Sequence, residues 1–85
     1  YDMCEKVGMD YKNVVEGVTA DSRIGKSHTK VPGIDNDRGF GGTCFPKDLN
    51  SLIVQMESAG INADMFKEIW KYNQEIRNLI DWTVT

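Results

Sequence analysis

The chain has 85 residues, of which 40% are hydrophobic and 27% charged, and its formal net charge is −3. This length predicts a single small domain. No apolar stretch is long enough to span a membrane, and the chain does not begin with a signal-like segment. The acidic balance argues against nucleic acid as a partner. Two cysteines, Cys4 and Cys44, are too few for a disulfide framework. We therefore expect free thiols in a reducing, cytoplasmic location.

The first two predicted helices are short. One covers Tyr1–Val7 and stops at Gly8, with Cys4 packed on its apolar face. Asp10 is a good N-cap residue because its carboxylate can accept a hydrogen bond from a backbone amide of the first turn. It predicts a second helix over Tyr11–Thr19.

A long segment from Gly25 to Thr43 shows neither a helical nor a strand period, and a turn from Asp21 to Gly25 precedes it. Loops of this length in a compact domain are usually functional or disordered. The phenylalanine and the glycine cluster at its end favour an ordered, functional loop. The charge supports this, since the part from Arg23 to Asp48 carries +2 and the remainder −5. That balance suits an anionic ligand, although scattered surface charge explains it equally well.

The third helix is predicted over Pro46–Ala59, with Phe45 at its N-cap and Gly60 at its end. Its apolar residues follow a helical spacing and form one stripe. They are Leu49, Leu52, Ile53 and Met56.

The fourth helix is predicted from about Ala63 to Trp82, with Asn62 as its cap. Asn73 falls on its inner face, where a buried and hydrogen-bonded amide is expected. The apolar residues of that face are Phe66, Ile69, Trp70, Ile76, Leu79 and Ile80. The fold class predicted from these patterns is all-α, with about four helices and a long ordered loop before a cysteine motif.

The cysteine motif runs Gly-Phe-Gly-Gly-Thr-Cys-Phe-Pro-Lys-Asp from Gly39 to Asp48. It places Cys44 at the start of a helix, where unpaired amides carry partial positive charge, and Lys47 follows three residues later. Both favour the thiolate, which is the nucleophilic form, although most cysteines chosen without such a context are packing residues. A metal site is not predicted, because His28 is the sole histidine and no second cysteine lies at ligand spacing.

Asp48 lies four residues after Cys44, so its carboxylate could orient or deprotonate a water. The alternative is an electrostatic contribution to the helix start, worth roughly 0.3–1 kcal/mol. The glycines are neither a dinucleotide fingerprint nor a P-loop, and alone they are a weak indication of backbone approach to a ligand. Spacing gives no role to Arg23 or His28.

The run Gly39–Asp48 resembles the cysteine segment of the UDP-glucose/GDP-mannose dehydrogenase family, in the form typical of its UDP-glucose branch. Asp21-Ser22-Arg23-Ile24-Gly25 is a second match. Members oxidise a primary alcohol of a nucleotide sugar to a carboxylate with two NAD in succession, through a thiohemiacetal and a thioester on the cysteine. The resemblance implies UDP-glucose as the substrate, with GDP-mannose and a UDP-N-acetylhexosamine as alternatives.

The same resemblance implies a role for each matching residue. Cys44 is the catalytic nucleophile, and Asp48 helps to activate the hydrolytic water. Lys47 lies near the NAD cofactor, and Arg23 reaches the nucleotide sugar across a homodimer interface. The sugar site is lined by Phe40, Gly41 and Gly42.

By resemblance, residues 1–85 are part of the family's central domain, and the NAD-binding and C-terminal nucleotide-binding domains are absent. The family's catalytic lysine and asparagine precede Tyr1, and its glutamate lies in the NAD-binding domain. We therefore expect the isolated chain to be inactive. Two alternatives to a catalytic fragment are a non-catalytic dimerisation module and a degenerate homologue that keeps the motif without catalysis. The sequence departs from common members in a longer loop between Gly25 and Gly39, and in His28 where many carry an aromatic residue.

Overall fold

The computed structural model describes residues 1–82. The chain forms four α-helices within that range: α1 Asp2–Val7, α2 Tyr11–Thr19, α3 Phe45–Ser58 and α4 Asp64–Ile76. Residues 20–44 form a loop of turns and bends, and no strand occurs between residues 1 and 82. The predicted all-α class, with four helices and one long loop, is confirmed.

The short helices α1 and α2 begin and end close to where local sequence predicts. Gly8 follows α1 in the left-handed conformation, with φ 77°, and its N–H donates to the carbonyl of Cys4. The Asp10 carboxylate accepts the N–H of Lys12 at 2.9 Å and so caps α2. Cys4 is 7% exposed, which confirms its packing role.

Helix α3 begins one residue earlier than predicted. Its N-cap is Cys44, so the prediction of Phe45 at that position is wrong by one residue. Pro46 lies fully buried in the first turn, where its missing N–H costs no helical hydrogen bond. The N–H of Asp48 donates to the carbonyl of Cys44 at 2.8 Å and closes this first turn.

Helix α4 is shorter than predicted. Its N-cap is Ala63, so the prediction of Asn62 at that position is wrong by one residue. The side-chain oxygen of Asn62 nevertheless accepts the N–H of Asp64, the first residue of α4, at 2.8 Å. The predicted continuation to Trp82 is wrong, because α4 ends at Ile76 and Arg77 takes an extended conformation with φ −85° and ψ 132°.

The cause of this early end is a carboxylate from the loop. Asp37 accepts the amides of Asn78 at 3.0 Å and Leu79 at 2.7 Å. Since each amide can donate to that carboxylate instead of to a helical carbonyl, the chain leaves the helix there. Leu79 and Ile80 are 49% and 66% exposed, so their predicted place on an inner apolar face is also wrong.

The apolar core lies where α3 packs against α4. Ile53 of α3 and Ala63 at the start of α4 are buried, whereas Ile69, predicted to lie inside, is 43% exposed. None of the helices in residues 1–82 has the length and apolar character needed to cross a membrane.

Candidate active site at the start of α3

Three predicted site residues lie together on the first turn of α3. Cys44 is an exposed free thiol at the N-cap. The ammonium of Lys47 lies 3.6 Å from Oδ1 of Asp48, and their side chains are 70% and 66% exposed. The turn therefore presents a thiol, a cation and a carboxylate to solvent.

The loop before this turn is held by a buried amide of α4. Asn73 is 2% exposed, and its Oδ1 accepts the N–H of Phe40 at 2.7 Å while its Nδ2 donates to the carbonyl of Phe40 at 2.8 Å. Gly39 has φ 67°, and a Cβ at this position would overlap Oδ1 of Asn73. The prediction of a buried, hydrogen-bonded Asn73 is confirmed, and its partner is the backbone of a predicted sugar-site residue.

The two glycines predicted at the sugar site lie against a pair of charged side chains. A Cβ on Gly41 would overlap Nη2 of Arg77 and Oδ1 of Asp81. The N–H of Gly42 donates to Oδ1 of Asp81 at 2.9 Å. Glycine at position 41 thus allows the backbone to approach the ion pair closely.

Arg77 is the most connected of these side chains, and its side chain has no exposed surface. Its Nη2 lies 2.6 Å from Oδ2 of Asp35 and 3.2 Å from both carboxylate oxygens of Asp81. Its Nη1 donates to the carbonyl of Arg38, and its Nε to that of Leu79. Burial pulls the pKa of Arg77 down, but the hydrogen bonds to Asp35 and Asp81 outweigh this effect and the pKa is raised.

The aspartates around Arg77 have lowered pKa values. The N–H of Leu79 is the main cause for Asp37, the guanidinium of Arg77 for Asp35, and the N–H of Gly42 for Asp81. Asp37 is 3% exposed and also lies 3.6 Å from Nε of Arg77. We call Arg77 with Asp35, Asp37 and Asp81 the Arg77 cluster; its carboxylates remain ionised at neutral pH.

A line of aromatic rings covers the other side of the loop. The ring of Phe40 lies 6.2 Å from the rings of both Phe45 and Trp70, and His28 lies 5.9 Å from Phe45. An open concavity of about 350 Å³ lies beside these rings between α3 and α4. Its lining residues are Phe40, Phe45, Asp48, Leu49, Leu52, Phe66 and Ile69. Asp48 is therefore one of the residues that line a largely apolar surface.

Arg23 lies apart from this group. Its side chain is 86% exposed and pairs with Asp21 at 2.6 Å. This pair lowers the pKa of Asp21 and raises that of Arg23. Within the described part of the chain, no hydrogen bond joins Arg23 to the first turn of α3 or to the glycines.

Sequence reasoning missed the Arg77 cluster. Residues 77–82 were expected to continue a helix, and no role was predicted for Arg77 or Asp81. The available signal was their spacing of four residues, which suits an ion pair. Nothing local connects them to Asp35 and Asp37, which lie about forty positions earlier in the sequence.

Residues 1–82 contain no strand before the glycine run, so they do not form the strand–turn–helix that holds a dinucleotide pyrophosphate. Lys47 is an exposed cation suited to a phosphate contact. Among the same residues, no group of three or more His, Cys, Asp or Glu side chains is placed to hold a metal ion.

Comparison with known proteins agrees with the resemblance carried by the cysteine motif. Residues 1–75 match the UDP-glucose/GDP-mannose dehydrogenase family, central domain. Over 85 residues the chain is 39% identical to the UDP-glucose 6-dehydrogenase TuaD of Bacillus subtilis, covering 99% of this chain and 17% of that protein.

Two further relatives are also UDP-glucose 6-dehydrogenases. That of Rickettsia conorii is 36% identical over 85 residues, covering 99% of this chain and 18% of the relative. That of Pseudomonas aeruginosa is 32% identical over 78 residues, covering 92% and 16%. No solved structure matches the chain significantly. The chain spans less than a fifth of the length of these relatives, and it belongs to the UDP-glucose/GDP-mannose dehydrogenase family.

Proposed function

We propose that this chain supplies the cysteine nucleophile of an NAD-dependent dehydrogenase that oxidises UDP-glucose to UDP-glucuronate. The observation that carries the proposal is the exposed thiol of Cys44 at the start of α3, on the same turn as Lys47 and Asp48. The relatives named above support the substrate, since each is a UDP-glucose 6-dehydrogenase.

Cys44 is proposed to act on the aldehyde formed by the first oxidation. Its sulfur bonds to the aldehyde carbon and the aldehyde oxygen takes a proton, which gives a thiohemiacetal. Loss of hydride from that carbon, together with the hydroxyl proton, gives a thioester. Water then attacks the thioester carbon, so that the carboxylate is released and the thiol is restored.

Asp48 is proposed to receive a proton from the attacking water. Asp48 lies one helical turn after Cys44, its carboxylate is exposed, and the residue lines the concavity beside Phe40 and Phe45. Two NAD molecules, bound one after the other, would each accept one of the two hydrides. We propose that NAD is bound mainly outside residues 1–82, with Lys47 contacting one of its phosphates.

The sugar is proposed to lie along the loop residues Phe40, Gly41 and Gly42. The absence of side chains at the two glycines allows a hexose to approach the backbone closely. Since the N–H of Gly42 already donates to Asp81, we expect the loop to contact the sugar through its carbonyls and through the ring of Phe40.

Arg23 is proposed to contact the nucleotide sugar bound by a second copy of the chain. Its side chain is 86% exposed and pairs only with the neighbouring Asp21 among the described ion pairs, which suits a role across a homodimer interface. Its guanidinium can form two parallel hydrogen bonds to a phosphate.

The proposal is tested with the full-length protein that carries this segment, assayed with UDP-glucose and NAD. We expect Cys44→Ser to lower acid formation by at least about 10³-fold, because the hydroxyl is a much weaker nucleophile. Cys4→Ser is the matched control, since Cys4 is buried in α1 and is expected to leave the rate nearly unchanged. Acid formation at the normal rate by the Cys44→Ser variant would contradict the proposal.

A non-catalytic dimerisation module is the second candidate. Exposed apolar side chains on α3 and α4, including Leu52 at 42% and Ile69 at 43%, favour association with another surface. The mass of the isolated chain in solution separates a monomer from a dimer. Comparing kcat/KM of the full-length protein for UDP-glucose, GDP-mannose and a UDP-N-acetylhexosamine then separates the substrates, and we expect UDP-glucose to give the highest value.

A further inference from the structure

We propose that Arg77 is a positioning residue for the sugar site: its buried guanidinium, acting through Asp81, holds the glycine loop (residues 39–42) in the shape that binds the sugar. This inference rests on the proposed function, which supplies the identity of the bound sugar, and it adds a residue that lies outside the cysteine motif.

The guanidinium of Arg77 connects two segments that lie far apart in the sequence. It donates to Asp35 and to the carbonyl of Arg38 in the loop, and to Leu79 and Asp81 after α4. The side chain of Arg77 is fully buried, whereas those of Asp35 and Asp81 are 38% and 42% exposed, so the contacts are shielded from water on the arginine side. A buried and fully hydrogen-bonded charge allows little displacement, because losing one partner leaves the others unsatisfied.

The next contact is between this ion pair and the glycine loop itself. Asp81 accepts the N–H of Gly42, two residues before Cys44. There is no room for a Cβ between Gly41 and the side chains of Arg77 and Asp81. A displacement of the ion pair must therefore displace the backbone of both glycines.

The arrangement needs arginine rather than another cation. The planar guanidinium has five N–H donors, and Arg77 directs them to two carbonyls and two carboxylates. A lysine keeps the charge but has a single ammonium that cannot reach all four acceptors. Arg77→Lys should consequently rescue part of what Arg77→Met loses.

Kinetics separate positioning from a purely structural role. If Arg77 only stabilises the fold, its replacement reduces the amount of active enzyme, which lowers the apparent kcat and leaves KM for UDP-glucose unchanged. If it positions the sugar loop, the folded variant binds UDP-glucose poorly, so KM rises while KM for NAD stays the same.

The test uses the full-length enzyme with Arg77→Met, Arg77→Lys and Asp81→Ala. We expect kcat/KM for UDP-glucose to fall roughly 10- to 100-fold for Arg77→Met, mainly through KM, with a smaller fall for the other two. Lys67→Met, on the preceding helix α4, is the control, because it removes only the exposed contact of Lys67 with Glu57. If Arg77→Met folds and its KM for UDP-glucose equals that of the wild type, the proposal is overturned. If Arg77→Met does not fold, wild-type KM values in both Asp81→Ala and Arg77→Lys overturn it.

A second measurement does not depend on activity. Hydrogen–deuterium exchange of the peptide covering residues 39–45 reports on the amide of Gly42, which Asp81 protects. We expect exchange in this peptide to accelerate roughly tenfold in Asp81→Ala and in Arg77→Lys, and not in Lys67→Met. Unchanged exchange in both variants would overturn the proposal. An enzyme inactive on UDP-glucose would instead refute the proposed function, and the exchange experiment would still decide the role of Arg77.

Discussion

The two halves of the long loop between α2 and α3 are held in different ways. In residues 20–32 the contacts are mainly local, such as Arg23 with Asp21 and the hydroxyl of Thr29 with the carbonyl of Lys26. In residues 33–44 they come from side chains more than thirty positions away, among them Asn73 and Arg77. The half that leads to the cysteine is thus held mainly by distant side chains. The half with Arg23 has fewer such contacts, among them the hydrogen bond from the hydroxyl of Tyr11 to the carbonyl of Thr29 at 2.5 Å.

Burial explains why this difference matters. Exposed ion pairs contribute little, since water and salt screen them and the long side chains lose entropy when they pair. Polar groups enclosed by protein strengthen one another, and each is costly to leave unpaired. We therefore expect residues 33–43 to be held more firmly than residues 20–32, where the side chain of Arg23 is 86% exposed.

Replacing one arginine in each half gives the sharpest test of this comparison. We expect Arg77→Met to lower the free energy of unfolding by about 3 kcal/mol, because it leaves Asp35, Asp37 and Asp81 without their buried cation. Arg23→Met should leave the unfolding midpoint unchanged, since its pair with Asp21 is exposed. Urea denaturation followed by circular dichroism measures the unfolding of both variants. If Arg77→Met and Arg23→Met lower the free energy of unfolding equally, the two halves of the loop do not differ in this way.

Adding one methyl group to a glycine in each half is the next test. Gly41→Ala places a Cβ onto Arg77 and Asp81, so we expect a loss of about 1–3 kcal/mol in the free energy of unfolding. Gly25→Ala is the matched control, because a Cβ there meets nothing within 4 Å. A Gly41→Ala variant as stable as Gly25→Ala would show that the backbone does not lie against the ion pair.

Acid denaturation should show the smallest of these effects. The N–H of Leu79 is the main cause of the lowered pKa of Asp37, and the side chain of Arg23 is the main cause for Asp21. A carboxylate with a lowered pKa in the folded state stabilises it fully above its unfolded pKa of about 3.9. That stabilisation disappears as the pH falls through the folded value.

We therefore expect the stability of the wild type to decline below about pH 4, and Asp37→Asn to flatten this decline. Asp21→Asn should have a smaller effect, and 0.5 M salt should remove it, since Asp21 lies at the surface and Asp37 is buried. Urea midpoints measured between pH 2.5 and 7 at two salt concentrations provide the comparison. If salt abolishes both effects alike, the burial argument for Asp37 is wrong.

Local sequence was sufficient for most of the secondary structure. The cap at Asp10, the proline at position 46 and the glycines at positions 8 and 60 act on the nearest turn of backbone, so the observed bounds of α1, α2 and α3 lie within one residue of those predicted. The motif from Gly39 to Asp48 was likewise sufficient to identify the family. Signals of this kind need no knowledge of the rest of the chain.

The end of α4 and the support of the glycine loop were decided by tertiary structure alone. Asp37 accepts hydrogen bonds from the amides of Asn78 and Leu79, which lie about forty positions later in the sequence and come close only in the folded chain. The residues next to Arg77 in the sequence do not indicate that it is buried, yet its side chain has no exposed surface. The apolar pattern predicted a longer helix because periodicity records which residues share a face, while the pairing of buried charges depends on which segments the fold brings together.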